Sequence, residues 1–202
     1  MRRLKEPVIF KLREKASVFL TELHPASNAE TRHGLLARLR KRDFDATHHC
    51  SAWREGVPAR AHGSDDDGEP SGTAGPPMLR VLEGEDLTDL IAVCIRWYGG
   101  TKLGTGGLLR AYTESVQGAV AEAASLGLFD EVRILVKGEI HVAPEMAHLP
   151  FAILGAFPDV ELTGQSFEAG QAIIHFQIPP QCQADLEAAW QERSRGGCVQ
   201  WR

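Results

Sequence analysis

Arg96–Arg110 reads RWYGGTKLGTGGLLR. The residues leading into it, Leu90–Tyr98 (LIAVCIRWY), form a short apolar run that predicts a buried strand. From about Gly106 to Leu126, apolar residues recur at three- and four-residue spacing and predict a helix, with Leu109, Tyr112, Val116, Ala119, Ala123 and Leu126 on its apolar face. Between the two stand Gly99, Gly100, Gly104, Gly106 and Gly107, with Lys102 as the only charge inside the turn. Glycine is costly in chain entropy, so this density marks backbone angles or approaches that a side chain forbids. Two readings fit. Either the glycines let strand and helix pack closely, or they bare the N–H groups of the helix start, where the dipole favours an anion.

Known phosphate loops do not account for the turn. A nucleotide-binding P-loop needs Lys-Ser/Thr after its last glycine, and none follows. The dinucleotide pattern G-x-G-x-x-G fails because Leu109 stands where Gly104-Thr105-Gly106 would need its third glycine.

Outward from this centre, the chain has the composition of an ordinary globular protein: 202 residues, 43% hydrophobic and 24% charged. That length holds one large or two small domains. The net charge of −5 is unevenly spread. Residues 1–62 carry 13 Lys/Arg against 7 Asp/Glu, and residues 63–202 carry 9 against 20. A basic first third suits an acidic partner such as nucleic acid. The run Arg38, Arg40, Lys41 and Arg42 also suits the last turns of a helix, where cations complement the dipole. Cys50, Cys94, Cys182 and Cys198 form no CxxC pair, which argues against a zinc finger or thioredoxin-type site. No apolar run after Met1–Lys5 makes a secretory leader, and no stretch approaches the ~18 apolar residues of a membrane helix. A cytoplasmic protein with reduced thiols and no membrane partner is expected.

Leu4–Leu12 and Ser17–Leu23 read as a strand pair. Ser27 or Asn28 caps a helix running to Arg42, and Asp43–Trp53 reads as a strand placing His48 and Cys50 on one face. Gly63–Pro77 (GSDDDGEPSGTAGPP) is the sharpest break in composition, and Pro76-Pro77 opens a helix that Gly84 ends. Gly127–Asp130 marks a domain boundary. Beyond it, Val132–Val142 reads as a strand, Pro144–Phe157 as a helix, and Val160–Phe167 with Gln171–Ile178 as a hairpin. Pro179–Arg193 reads as a second helix and Cys198–Trp201 as a last strand. The order β-α-β-β-α-β is that of a ferredoxin-like sandwich.

Asp65, Asp66, Asp67 and Glu69 offer carboxylates for a hard cation, but the rest of a calcium-loop pattern is missing. A turn whose carboxylates cap the next segment or pair with an arginine fits equally. His48 and Cys50 supply two metal ligands, with His62 as the nearest third, and two ligands make no site. Ser71, Thr73 and Cys50 with His48 or His49 are nucleophile candidates, but no nucleophile elbow is present. No catalytic residue, metal site or cofactor is assigned.

Three stretches together, Asp45–Cys50 (DATHHC), Ser64–Gly75 (SDDDGEPSGTAG) and Arg96–Tyr112 (RWYGGTKLGTGGLLRAY), resemble the YigZ/IMPACT family. The resemblance covers residues 1–128 by motif and the remainder by element order. It implies an α+β protein of two domains. Residues 1–129 would resemble the second-domain fold of small-subunit ribosomal protein five, a four-stranded sheet backed by helices. Residues 130–202 would be a ferredoxin-like βαββαβ sandwich. The pairing is similar to the last two domains of elongation factor G and implies binding to RNA or the ribosome. Eukaryotic members act in translational control. The family signature falls on His48, Asp66, Asp67, Glu69, Ser71 and Thr73, and the anion-binding stretch on Arg96, Lys102, Gly104, Gly106, Gly107 and Arg110. The chain departs from the pattern at Asp65, Pro76, Trp97 and Thr113. Asp65 and Pro76 make this surface less basic, which weakens phosphate contact.

Three functional classes follow: a non-enzymatic RNA- or ribosome-binding module in translation or its regulation, a regulator that binds protein partners through the same surface, and an enzyme on a small phosphorylated or peptide substrate. The carboxylates decide part of this. If Asp66, Asp67 and Glu69 meet Arg96, Lys102 and Arg110, the signature is an internal ion-pair cluster. If the cations face outward beside the glycine N–H groups, the turn is an anion site.

Overall fold

The computed structural model describes residues 1–194 and 198–202. It divides into two units, Met1–Val132 and Arg133–Arg202.

The first unit contains β1 (Arg2–Leu4), β2 (Val8–Glu14), β3 (Ser17–Pro25), α1 (Ala29–Arg42), β4 (His48–Glu55), β5 (Ala61–Asp65), α2 (Gly75–Gly84), β6 (Leu87–Thr88), β7 (Leu90–Trp97), α3 (Gly104–Ser125) and β8 (Phe129–Glu131). Five strands form an antiparallel sheet in the order β2-β3-β7-β4-β5. A small second sheet, β6-β1-β8, ties down the N-terminus.

Strand β7 lies at the centre, and Leu90 to Arg96 are all buried. Successive residues of a strand point to opposite faces. Leu90, Ala92 and Cys94 pack with Met78 of α2 and Leu108, Tyr112 and Val116 of α3. Ile91, Val93 and Ile95 pack with Leu35 and Leu39 of α1. Each fully buried Leu or Ile of this strand stabilises the fold by about 1.5–3 kcal/mol. By the same alternation Arg96 falls on the α2/α3 face, which decides its role.

Local chemistry sets the helix starts. The Asn28 side chain accepts from the Thr31 N–H at 2.9 Å, so α1 begins at Ala29. The Asp43 N–H donates to the Leu39 carbonyl at 2.9 Å, so β4 begins only at His48, later than the expected Asp43. Strand β5 takes the first residues of the break expected at Gly63–Pro77 and gives the sheet a fifth strand beyond the four expected. Its sequence, AHGSD, is polar and mostly exposed, as an edge strand can be. Helix α3 begins at Gly104, two residues early. Its buried stripe is Leu108, Ala111, Tyr112, Ser115, Val116, Ala119, Val120 and Ala123. Leu109 and Leu126, expected in the stripe, are exposed at 40% and 58%, because Leu108 and Ala111 set its phase.

The second unit contains β9 (Val136–Val142), α4 (His148–Leu154), β10 (Glu161–Glu168), β11 (Gln171–Ile178), α5 (Gln183–Ser194) and β12 (Gln200–Trp201). Short 3-10 turns at Pro144–Met146 and Pro180–Cys182 precede the helices, which are therefore shorter than expected. The antiparallel sheet runs β10-β11-β9-β12, the ferredoxin-like arrangement. Ala169 and Gly170, both at positive φ, make the two-residue turn between β10 and β11. Ile140, Ile174, Phe176 and Ile178 pack against Ile153, Leu154, Leu186 and Trp190. No helix among the described residues is long and apolar enough to cross a membrane.

Candidate functional site

The acidic loop after β5 is held by its own carboxylates. Asp66 Oδ1 accepts from the N–H groups of Ala74 and Gly75 at 2.9 and 2.8 Å, and Oδ2 accepts from the Gly72 N–H at 2.7 Å. A carboxylate thus sits at the N-terminus of α2, where the dipole favours it. Asp67 accepts from the Arg40 guanidinium at 2.7 Å and from the His49 N–H at 2.6 Å. The Thr73 hydroxyl donates to the Pro70 carbonyl at 2.6 Å. Ser71 is exposed. Asp66, Asp67 and Thr73 therefore shape the loop, and their polar atoms are spent on the chain itself.

The loop positions two other side chains differently. His48 Nδ1 lies 2.8 Å from the Asp67 carbonyl, which can only accept. In the neutral ring the proton therefore sits on Nδ1, and Nε2 is a bare acceptor. Glu69 reaches inward and is 8% exposed. Its Oε1 accepts from Arg96 Nη1 at 2.5 Å and from the Tyr112 hydroxyl at 2.7 Å. His48 Nε2 is 3.8 Å from the same oxygen. Arg96, 4% exposed, also donates from Nη2 to Ser17 Oγ at 3.2 Å, while its buried Nε has no hydrogen-bond partner among the described residues. Its guanidinium lies 5.3 Å from the Phe19 ring centre and 5.5 Å from that of Tyr98. Behind Glu69, the Cys50 thiol is 3.3 Å from the Tyr112 oxygen and 3.1 Å from the Asp66 carbonyl. Burial pushes the Tyr112 hydroxyl and the Cys50 thiol far above their ordinary ranges, and the Cys94 thiol up to about 12. All three therefore stay protonated around neutral pH and act in this interior cluster as hydrogen-bonding groups.

The glycine turn sits above it. A Cβ at Gly99 would lie 1.9 Å from the Ala16 carbonyl oxygen, so this glycine serves a close approach of two loops. Gly104 begins α3 at a φ of +73°, which a side chain resists. Gly106 has neither reason: among the described residues, no atom outside its chain neighbours and the adjacent helix backbone lies within 4 Å of a Cβ built there. Helix α3 opens with no side-chain cap and no acidic residue in its first turn. Lys102 is exposed beside it.

These parts enclose a cavity of about 460 Å³. Pro70, Tyr98, Leu103 and Leu108 give it an apolar side, and His48, Glu69, Arg96 and Lys102 a polar one, with Gly104 and Thr105 at the helix start. Of the internal ion-pair cluster that the sequence left open, one pair forms, and Asp66 and Asp67 bond to backbone N–H groups and to Arg40 instead. Glu69 and Arg96 are an internal pair, whereas Lys102 and Arg110 are exposed and in no ion pair among the described residues. Gly106 and Gly107 lie on the first turn of α3, and Arg110 lies farther along the helix, off the cavity lining. The sequence reading missed Tyr112 as a polar partner of Glu69, and Tyr98 as a wall. Tyr112 was legible only as an apolar helix position.

The sequence pattern of the Impact N-terminal domain matches residues 15–120, just over half the chain. An IMPACT family member of Haemophilus influenzae is 43% identical over 118 residues, which cover 57% of each chain. IMPACT family member YigZ of Escherichia coli is 43% identical over 110 residues, 54% of each chain. The matches thus span little more than half the length of these curated relatives. A crystal structure of a hypothetical protein superposes with a TM-score of 0.61 at 30% identity, over 99% of this chain and 95% of that one. With the matched pattern running from the β2–β3 turn through the acidic loop and the glycine turn into α3, this chain belongs to the IMPACT family.

Proposed function

We propose that this IMPACT-family protein is a non-enzymatic, translation-regulatory module that binds RNA, free or in the ribosome, through the start of α3. The observation that carries the reading is the first turn of that helix. A 22-residue helix begins with no side-chain cap and no acid, on glycines, beside Lys102. Its N–H groups and dipole favour an anion, and the repeated anion of RNA is phosphate. Arg110 extends the cationic surface along the helix. The translational role of eukaryotic family members supports the same direction.

The basic first third supports it less than its charge count implies. Arg2, Arg3, Lys5, Arg32, Arg40 and Arg42 are all in ion pairs with acidic groups of the chain. The reading therefore rests on α3 rather than on the charge count of the first third.

Co-sedimentation with ribosomes at low and moderate salt tests the proposal, with a Lys102→Glu/Arg110→Glu variant of verified fold alongside. Wild type is expected to pellet with ribosomes and to be released by salt. The variant is expected to stay in the supernatant, because reversing both charges removes about two phosphate contacts and adds repulsion. Binding that ignores salt, or equal binding by the variant, would sink the reading.

A further inference from the structure

The cavity beneath the α3 start has unspent recognition groups of three kinds. The first is a cationic rim. The Glu69 charge is matched by Arg96 at 2.5 Å, whereas Lys102 has no ion-pair partner among the described residues. With the first turn of α3, the rim is a place for an anionic group. The second is a polar wall with open hydrogen-bonding capacity. Arg96 is 4% exposed and its Nε has no hydrogen-bond partner among the described residues, although buried polar groups are nearly always satisfied. His48 presents Nε2 on the same side, 3.8 Å from Glu69 and beyond hydrogen-bond reach. In the neutral ring, whose proton sits on Nδ1 against the Asp67 carbonyl, Nε2 accepts and so suits a hydroxyl donor. The third is a flat apolar side. Tyr98 lines the cavity with 44% of its surface exposed, and Pro70, Leu103 and Leu108 continue it.

An anion, a hydroxyl and a flat apolar ring in one molecule are the parts of a nucleotide. The volume, about 460 Å³, falls in the range of roughly 300–1,000 Å³ typical of small-molecule sites. We infer that the cavity binds a single ribonucleotide unit, with its phosphate at Lys102 and the α3 start, its sugar hydroxyl at His48 and its base against Tyr98. The inference rests on the RNA-binding reading and deepens it. A surface that only neutralises phosphates has no need of an apolar cavity or of a histidine with a fixed acceptor. A hydroxyl contact is also what separates RNA from DNA at a site.

The test is a titration of isotopically labelled full-length protein, followed by amide chemical shifts. The probes are the four ribonucleoside 5′-monophosphates, their 2′-deoxy counterparts, adenosine and inorganic phosphate. At least one ribonucleotide is expected to shift the amides of Gly104–Gly107 and to bind about tenfold or more tighter than phosphate or adenosine alone. Tyr98→Ala, at an exposed position, should weaken it by about fivefold or more, the low end of base–aromatic stacking, and leave phosphate binding unchanged. The deoxy counterpart should bind more weakly in wild type and equally in His48→Gln.

Equal responses to nucleotide and phosphate would overturn the inference and leave only an anion site. No shift with any of the four at millimolar concentration would overturn it as well. Ribosome co-sedimentation on the same sample separates the two claims. Ribosome binding without nucleotide binding removes the cavity as the contact and keeps the RNA reading. Nucleotide binding without ribosome binding keeps the cavity site and removes ribosomal RNA as the target.

Discussion

Glu69 joins three elements through one oxygen: its own loop, β7 through Arg96 and α3 through Tyr112. A buried ion pair contributes little net stability as a pair, but removing one member strands the other charge at a cost of about 3–5 kcal/mol. Glu69→Ala is therefore expected to lower the free energy of unfolding by about that much, read from urea denaturation. The Glu69→Leu/Arg96→Met double variant should recover a large part of the loss, because no charge is left unpaired. Equal losses in the single and double variants would refute the pairing. The inward turn of Arg96 was legible in the sequence. Counting by twos from Leu90, Ala92 and Cys94 places it on the same face, toward α3. Reading the whole glycine stretch as one cationic surface hid that alternation. The tyrosine that completes the cluster could not be read, since an apolar helix position says nothing of where its hydroxyl points.

At the level of elements, α3 separates stability from binding. An acidic side chain in the first turn of a helix stabilises it by about 0.3–1 kcal/mol. Gly106 has open space where a side chain would grow and no positive φ. Gly106→Asp should therefore leave the melting temperature unchanged or raise it, while abolishing ribosome co-sedimentation. A variant that melts lower and still binds would contradict both arguments. Strand β7, helix α3 and the β10–β11 hairpin were readable because each has a strong local signal: an apolar run, a repeating stripe, and a short turn read over Glu168-Ala169-Gly170, which the structure tightens to Ala169 and Gly170. Strand β5 was not. Its residues are small, polar and exposed, and only pairing with β4 makes them a strand. The stripe of α3 was misplaced by one residue at Leu109 because two adjacent leucines fit the same spacing, and only tertiary packing chooses Leu108.

For the molecule as a whole, each unit has its own core, and the element order of the second was enough to name its fold. The first needed the family resemblance: the β2–β3 pair is local and was readable, but β7 enters the centre of the sheet between β3 and β4 from far along the chain and leaves no local trace of that place. Global stability should fall on the acid side in two steps. His49 is held below its ordinary value of 6.5, by burial first and by the Arg40 charge second. Its contribution is complete above that value and is lost as the pH falls toward the lowered one, because the unfolded chain takes up the proton first. Glu22 follows. Burial alone would raise its carboxyl, but hydrogen bonds from His24 and Arg42 outweigh burial and hold it below the ordinary 4.5. Its share is complete above 4.5 and is lost as the pH falls through the lowered value. Urea midpoints measured across this range should decline from about 6.5 downward. Glu22→Gln should flatten the lower part of the curve and leave the upper part alone. An unchanged lower slope would show that Glu22 does not carry it.

Helices α2 and α3 pack on the same face of one sheet, yet their beginnings meet opposite fates. The chain closes α2 with its own Asp66, one carboxylate under three amides. It leaves α3 without such a stopper. Asp66 is thus a tethered ligand, and the molecule carries its own reference compound: a worked example, within the same fold, of how this backbone grips an oxyanion that cannot diffuse away.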